Sequence, residues 1–168
     1  MRIAINGFGR IGRAAFKALV GRPGITIVAI NDLTDTKTLA HLLRYDSVYG
    51  VYAKSVKATG QTLVIDGRSY PVLAEKEPTA LPWKKLKVDV VIESTGRFTD
   101  KKSASDHIKA GAKKVILSAP AKDDDVPTYV LGVNETSLKK KETVISMASC
   151  TTNCLAPVTD IIRRAYGI

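Results

Sequence analysis

The sequence has little cysteine, little histidine, few aromatic residues and no long apolar run, and each shortage removes a class of function. Its two cysteines, Cys150 and Cys154, lie four positions apart. That is too few for a disulfide framework and gives no sign of an oxidising compartment. The two histidines, His41 and His107, are distant from the cysteines and in no ligand spacing, so no metal site is expected. No stretch of about 18 apolar residues is present to span a bilayer. The N-terminal segment also lacks an apolar block of signal-peptide length with a cleavage site. The expectation is a soluble cytoplasmic protein without a membrane partner. Acidic residues are outnumbered, 16 Asp and Glu against 26 Lys and Arg, for a net charge of +10. The clusters Lys84-Lys85, Lys113-Lys114 and Lys139-Lys140-Lys141 are not interleaved with aromatics, so they read as solvated corners. Binding of RNA or another polyanion is a minor reading.

What is present is ordinary globular composition, 168 residues with 45% hydrophobic and 25% charged. This suffices for one domain with a buried core, or one domain and a fragment of another. Arg2 to Asn6 reads as a short apolar strand and Arg10 to Val20 as a helix, stopped by Gly21, Pro23 and Gly24. The run "ITIVAI", Ile25 to Ile30, suits a parallel strand covered on both faces. Thr36 to Arg44 reads as a helix. Tyr52 to Leu73 reads as an antiparallel meander broken at Gly60 and Asp66-Gly67. From Val88 the parallel pattern resumes with the strand "VDVVIES", a helix over Lys101 to Ala110 closed by Gly111, and a strand over Lys114 to Ser118. Tyr129 to Leu131 and Thr143 to Ser146 read as two further strands. The fold class is α/β, a doubly wound Rossmann-type parallel sheet with a small antiparallel insertion.

The segment "INGFGRIGR", Ile5 to Arg13, places Gly7, Gly9 and Gly12 at G-x-G-x-x-G spacing. A phosphate-binding turn needs a strand before it, a helix after it and an acidic residue about 20 positions on. All three are here, the acid being Asp32. Gly7 allows the tight turn, Gly9 the approach of backbone to pyrophosphate, and Gly12 the packing of helix on strand. The first N–H groups of the helix, near Arg10 and Ile11, point at the phosphates. Asp32 can accept hydrogen bonds from the adenosine ribose hydroxyls and repels a 2′-phosphate, which favours NAD over NADP. The alternative is that the glycines merely relieve crowding in a βαβ crossover.

The segment "ASCTTNCLAP", Ala148 to Pro157, follows a strand and opens a helix with Ser149 as N-cap. Cys150 then lies in the first turn, where helix-end N–H groups stabilise a thiolate, which makes it a candidate nucleophile. A buried structural cysteine is the alternative. Cys154 reads as a small packing residue, and Leu155, Val158, Ile161 and Ile162 form an apolar stripe.

These segments, with Asn31-Asp32, "LLRYDSVYG" and "ESTGRF" (Glu93 to Phe98), resemble glyceraldehyde-3-phosphate dehydrogenase in order and spacing over the whole chain. The resemblance implies that Arg10 and Ile11 contact the pyrophosphate and Asp32 the adenosine ribose. It implies that Lys76 lies at the adenine side and that Thr95, Gly96, Phe98 and Ser118 line the rest of the dinucleotide cleft. Ser149 and Thr151 would flank the substrate and Cys150 would be the nucleophile. Residues 1–148 would form the NAD-binding domain and 149–168 the start of a catalytic domain whose remainder, with the family's activating histidine, is absent from the sequence. Neither His41 nor His107 falls on that motif. The implied reaction oxidises glyceraldehyde 3-phosphate with inorganic phosphate, as part of glycolysis. It would need a complementing C-terminal half and, when complete, a homotetramer. Erythrose-4-phosphate dehydrogenase and a non-catalytic NAD-binding module are the alternatives.

Overall fold

The computed structural model describes residues 1–167. Ile168, the last residue of the expected catalytic segment, lies outside the described residues. The chain opens with strand β1 (Arg2–Asn6), helix α1 (Arg10–Leu19) and strand β2 (Thr26–Asn31), the two strands pairing in parallel. Four of the five β1 residues are buried. An interior strand covered on both faces shows this pattern instead of the half-buried alternation.

Helix α2 (Thr36–Arg44) begins where the Asp35 carboxylate accepts the Thr38 N–H at 2.9 Å. The Thr38 hydroxyl, which donates to the other Asp35 oxygen, and the Thr38 amide hold the Asp35 carboxyl below the usual range. A short hairpin, β3 (Tyr45–Asp46) with β4 (Gly50–Val51), stands apart from the main sheet. The meander follows as β5 (Val56–Thr59), β6 (Thr62–Ile65) and β7 (Arg68–Leu73). It is joined to the main sheet through β7. β7 pairs antiparallel with β6 on one side and in parallel with β2 on the other, so the meander lengthens the main sheet.

The chain then crosses to the other side of β1 with β8 (Val90–Glu93), followed by α3 (Lys101–Ala104), α4 (Asp106–Lys109), β9 (Lys114–Leu117) and β10 (Val144–Ser146). The eight strands run in the order β10-β9-β8-β1-β2-β7-β6-β5. The order reverses between β1 and β8, and in open α/β sheets the crevice beyond the strand C-termini at such a point is where ligands bind.

Two expectations are corrected. Residues 129–131 form no strand. Thr128 makes a single parallel bridge to Ser146, and the Asn134 side chain then takes the Val130 N–H and donates to the Thr128 carbonyl, removing those groups from a ladder. The expected helix over 101–110 is divided at Ser105, whose hydroxyl donates to the Lys101 carbonyl at 2.6 Å. Side-chain bonds of this kind compete with the helical ladder.

One core packs α1 and α2 on the meander side, where Phe16 meets Phe8 and Tyr70 edge-on at ring-centroid distances of 5.6 and 5.0 Å. A second gathers Ala4, Ala29, Trp83 and Val91, and a third Ala104, Val115, Leu117 and Val144. Helix α5 (Cys150–Tyr166) has no buried residue. Its stripe is open, with Leu155 66% and Ile161 67% exposed. Cys154 is exposed as well, which corrects the expectation of a packing residue. Among the described residues, no helix is long and apolar enough to cross a membrane.

The contrast gives a stability prediction. Phe16→Ala opens a cavity in the first core and costs about 3–5 kcal/mol. Leu155→Ala changes stability by less than about 0.5 kcal/mol in this chain. Urea denaturation of the two variants checks both, and equal losses would show that α5 is buried.

Candidate functional site

The cleft at the β1/β8 switch point follows from how few atoms the glycine turn carries. Gly7 adopts φ +89°, and a Cβ on it would lie 2.6 Å from the Thr95 nitrogen. A Cβ on Gly12 would stand 2.0 Å from the Gly7 carbonyl oxygen. Both positions therefore need glycine for close packing of α1 and β8 on the end of β1. Gly9 differs, since nothing lies within 4 Å of its Cβ position. It precedes α1 with no side chain capping the helix. Uncapped helix N–H groups beside open space form a site suited to an anion.

The turn is pinned from β2. The Gly7 N–H donates to the Asn31 carbonyl at 2.8 Å, and the Phe8 N–H to Asp32 Oδ2 at 2.6 Å. Asp32 Oδ1 accepts the Thr34 N–H at 2.9 Å. Each carboxylate oxygen keeps lone-pair capacity for a further donor. The result is a cleft of about 260 Å³, floored by Asn6, Gly7 and Gly9, with Asp32, Glu75 and Lys76 on one side and Ser94, Thr95 and Phe98 on the other.

Six of the expected residues thus line one cavity: Gly7, Gly9, Asp32, Lys76, Thr95 and Phe98. Arg10, Ile11 and Gly12 lie just behind, in the first turn of α1. Gly96 occupies the turn beside Thr95 at φ +73°. Ser118 follows β9, its N–H on the Glu93 carbonyl at 3.0 Å. Ser149, Cys150 and Thr151 do not line this cavity.

They occupy the start of α5, where Ser149 Oγ accepts the Thr152 N–H at 2.9 Å as N-cap. Cys150 is exposed as the first helical residue. Thr151 and Leu155 line a separate open groove along α5 with Val133. Entry to this helix is unusual. Ala148, buried, has φ +60° and donates its N–H to Ser146 Oγ at 3.0 Å. A left-handed non-glycine residue costs energy that its surroundings must impose.

The sequence reading missed Asn6, Asn31, Glu93 and His107, which form a buried hydrogen-bonded group beneath the cleft. A signal existed in the polar residues that end otherwise apolar strands, Asn6 on β1, Asn31 on β2 and Glu93 on β8.

Residues 1–101 match the family model described as "Glyceraldehyde 3-phosphate dehydrogenase, NAD binding domain". The chain belongs to the glyceraldehyde-3-phosphate dehydrogenase family. Relatives named glyceraldehyde-3-phosphate dehydrogenase include one from Thermotoga maritima, 54% identical over 99% of this chain and 50% of that protein. Another, from Borreliella burgdorferi, is 56% identical over 100% of this chain and 51% of its own length. A third, from Geobacillus stearothermophilus, is 52% identical over 100% and 50%. The chain spans about half the length of these curated relatives. The matched range contains every residue of the cleft and stops before the cysteine helix.

Glycine geometry in this member of the glyceraldehyde-3-phosphate dehydrogenase family separates packing from ligand space. Gly12→Ala meets backbone and costs about 3 kcal/mol, whereas Gly9→Ala meets nothing and costs about 1 kcal/mol or less as a poorer N-cap. Thermal or urea unfolding of the two variants checks this, and a Gly9→Ala loss as large as that of Gly12→Ala would contradict the assigned geometry.

Proposed function

We propose that the chain is the NAD-holding half of a phosphorylating glyceraldehyde-3-phosphate dehydrogenase. The observation that carries this reading is the uncapped N-terminus of α1 at Gly9, open to a cleft that the Asp32 carboxylate also lines. The turn fits a pyrophosphate because a Cβ at Gly9 would fill the space it needs. Arg10, Ile11 and Gly12 would offer backbone donors there, with Asp32 toward the adenosine ribose and Lys76 at the adenine side. Thr95, Gly96, Phe98 and Ser118 would complete the dinucleotide site. The negative Asp32 opposes a ribose 2′-phosphate and supports NAD over NADP.

Bound NAD supplies the hydride acceptor. Cys150, flanked by Ser149 and Thr151, would add as a thiolate to the aldehyde carbon of glyceraldehyde 3-phosphate, giving a thiohemiacetal. Loss of the hydride, with the hydroxyl proton taken up by the base of the complementing half, would leave a thioester, and inorganic phosphate would then displace the thiolate to release an acyl phosphate. First-turn N–H groups of α5 favour the thiolate. No histidine in the described structure assists it. His107 is buried in contact with Glu93 and Trp83, and His41 lies against Tyr45 with ring centroids 4.9 Å apart and the rings tilted by 45°. Turnover therefore calls for a complementing C-terminal half that brings a base and covers the α5 stripe, in a homotetramer within the cytoplasm. A 4-phosphorylated tetrose aldehyde, the substrate of the similar erythrose-4-phosphate dehydrogenase, is the second substrate reading.

RNA binding stays the minor reading, because the lysine clusters are not interleaved with aromatic residues. Lys54, Lys101, Lys109 and Lys113 are paired with Asp66, Asp125, Asp106 and Asp89 on the surface.

Calorimetric titration of the 168-residue chain tests the cofactor. NAD binds more tightly than NADP by about tenfold or more, and Asp32→Asn narrows the gap. Equal affinity of the unmodified chain for both would sink the assignment of Asp32. For the chemistry, a preparation shown by mass to hold only this chain turns over glyceraldehyde 3-phosphate negligibly, and activity appears on adding the C-terminal half of a relative. Full dehydrogenase activity without that addition would refute the requirement.

A further inference from the structure

The proposed chemistry leaves unused the buried polar chain beneath the cleft. It starts at Trp83, fully buried, whose indole Nε1–H donates to His107 Nδ1 at 2.9 Å. The other ring nitrogen of His107, Nε2, lies 3.0 Å from Glu93 Oε2. His107 is 0% exposed and Glu93 2%. An indole N–H is a donor only, so His107 Nδ1 has to accept, and the ring proton sits on Nε2 and is donated to Glu93. The contact is a neutral imidazole on a carboxylate and not a pair of opposite charges. Glu93 Oε2 also accepts from Asn6 Nδ2, and Oε1 accepts the Thr95 N–H at 2.8 Å and the Thr95 hydroxyl. Four donors converge on one buried acceptor-only group, which offsets its desolvation.

The chain continues to the other wall. Asn31 Nδ2 donates to Asn6 Oδ1 at 2.7 Å and to the Glu75 carbonyl at 2.9 Å, while the Glu75 N–H returns to Asn31 Oδ1 at 2.9 Å. Thr95 on one lip and Glu75 on the other are therefore tied to the same buried carboxylate.

Resting on the dinucleotide reading of the cleft, we propose that Glu93 and His107 are positioning residues for that ligand. Trp83 fixes the His107 tautomer, His107 fixes the Glu93 carboxylate, and Glu93 holds Thr95 and Asn6 where the ligand meets them. Charge decides the outcome. A glutamine has the same shape but one donor end. With its nitrogen toward Thr95 it sets N–H against N–H at the lip. With its nitrogen toward His107 it faces two donors, and the ring yields only by giving up Trp83. A side chain that merely fills space would tolerate the change.

The test uses the whole chain with 15N-labelled histidine and backbone. Unmodified, His107 shows the neutral Nε2–H tautomer and the Thr95 amide is protected from exchange. Glu93→Gln speeds Thr95 exchange and weakens NAD binding by calorimetry, each about tenfold or more. Trp83→Phe leaves the carboxylate in place, releases the tautomer and weakens NAD less, which keeps the test available if Glu93→Gln does not fold. An Nδ1–H tautomer in the unmodified chain, or a Glu93→Gln protein with unchanged Thr95 exchange and NAD affinity, overturns the proposal. An unmodified chain that shows the tautomer and the protection but binds no NAD overturns the dinucleotide reading and, with it, the ligand side of this proposal. The hold of Glu93 on Thr95 is decided separately by the exchange rates.

Discussion

The carbonyl oxygen of Gly7 is approached so closely by Gly12 that no side chain fits between them, and the rest of the C-terminal edge of the sheet depends on that approach. It seats the start of α1 directly on the end of β1. Gly7 in turn faces the Ser94–Thr95 peptide with no room for a Cβ, and Ser94 Oγ donates to its carbonyl at 2.7 Å. On the other side Asn31 and Asp32 accept the N–H groups of Gly7 and Phe8. One turn thus joins β1, β2 and β8, and the helix N-terminus is left as the exposed end of an otherwise interlocked unit. The cleft is a consequence of this packing, since the same turn that excludes side chains at Gly7 and Gly12 leaves space at Gly9.

Polar residues occupy the strand ends where apolar ones would pack without a desolvation cost. Asn6, Asn31, Glu93 and His107 are all at most 5% exposed. Burial of such groups is tolerated only when every donor and acceptor is matched. Here the matching is directional. Trp83 can only donate and the Glu93 carboxylate can only accept, so the intervening histidine and amides have one consistent assignment. A network of this kind specifies geometry more than it adds stability, and residues that break the apolar pattern of a core are often those that serve a site.

Much of the fold was legible because its determinants are local. The bounds read for β1 and α2 agree with the structure, as an apolar run ending in Asn-Gly and a capped amphipathic segment define them. The glycine turn was legible for the same reason, six residues carrying their own geometry. The polar chain was not, because Asn6 and Glu93 are 87 positions apart and meet only through the parallel pairing of β1 with β8. Residues 129–131 misled in the opposite sense. Their apolar character suggested a strand, yet the side chain of Asn134 claims the backbone groups a ladder would need. Cys154 reads as a packing residue from its place one turn into the helix, yet it is exposed, as position along a helix does not say which face is covered.

Helix α5 is held by different physics from the rest. Its order comes from its ends and its polar face. Ser149 caps one terminus and Gly167, in the left-handed region, closes the other, while Asp160 pairs with Arg163 and Arg164. Capping and surface pairs are each worth a fraction of a kcal/mol to about 1 kcal/mol, and isolated helices of this length are marginal without tertiary packing. Its direction is set at a single joint, the buried left-handed Ala148 held by Ser146, with Asn153 Nδ2 donating to the carbonyls of Met147 and Ser149. Cys150, two residues beyond that joint and the first of the helix, takes its direction from the sheet from which α5 emerges. The cleft and Cys150 are thus connected through one sheet, because β10, which leads into the joint, is joined through β9 and β8 to the strand that carries the glycine turn.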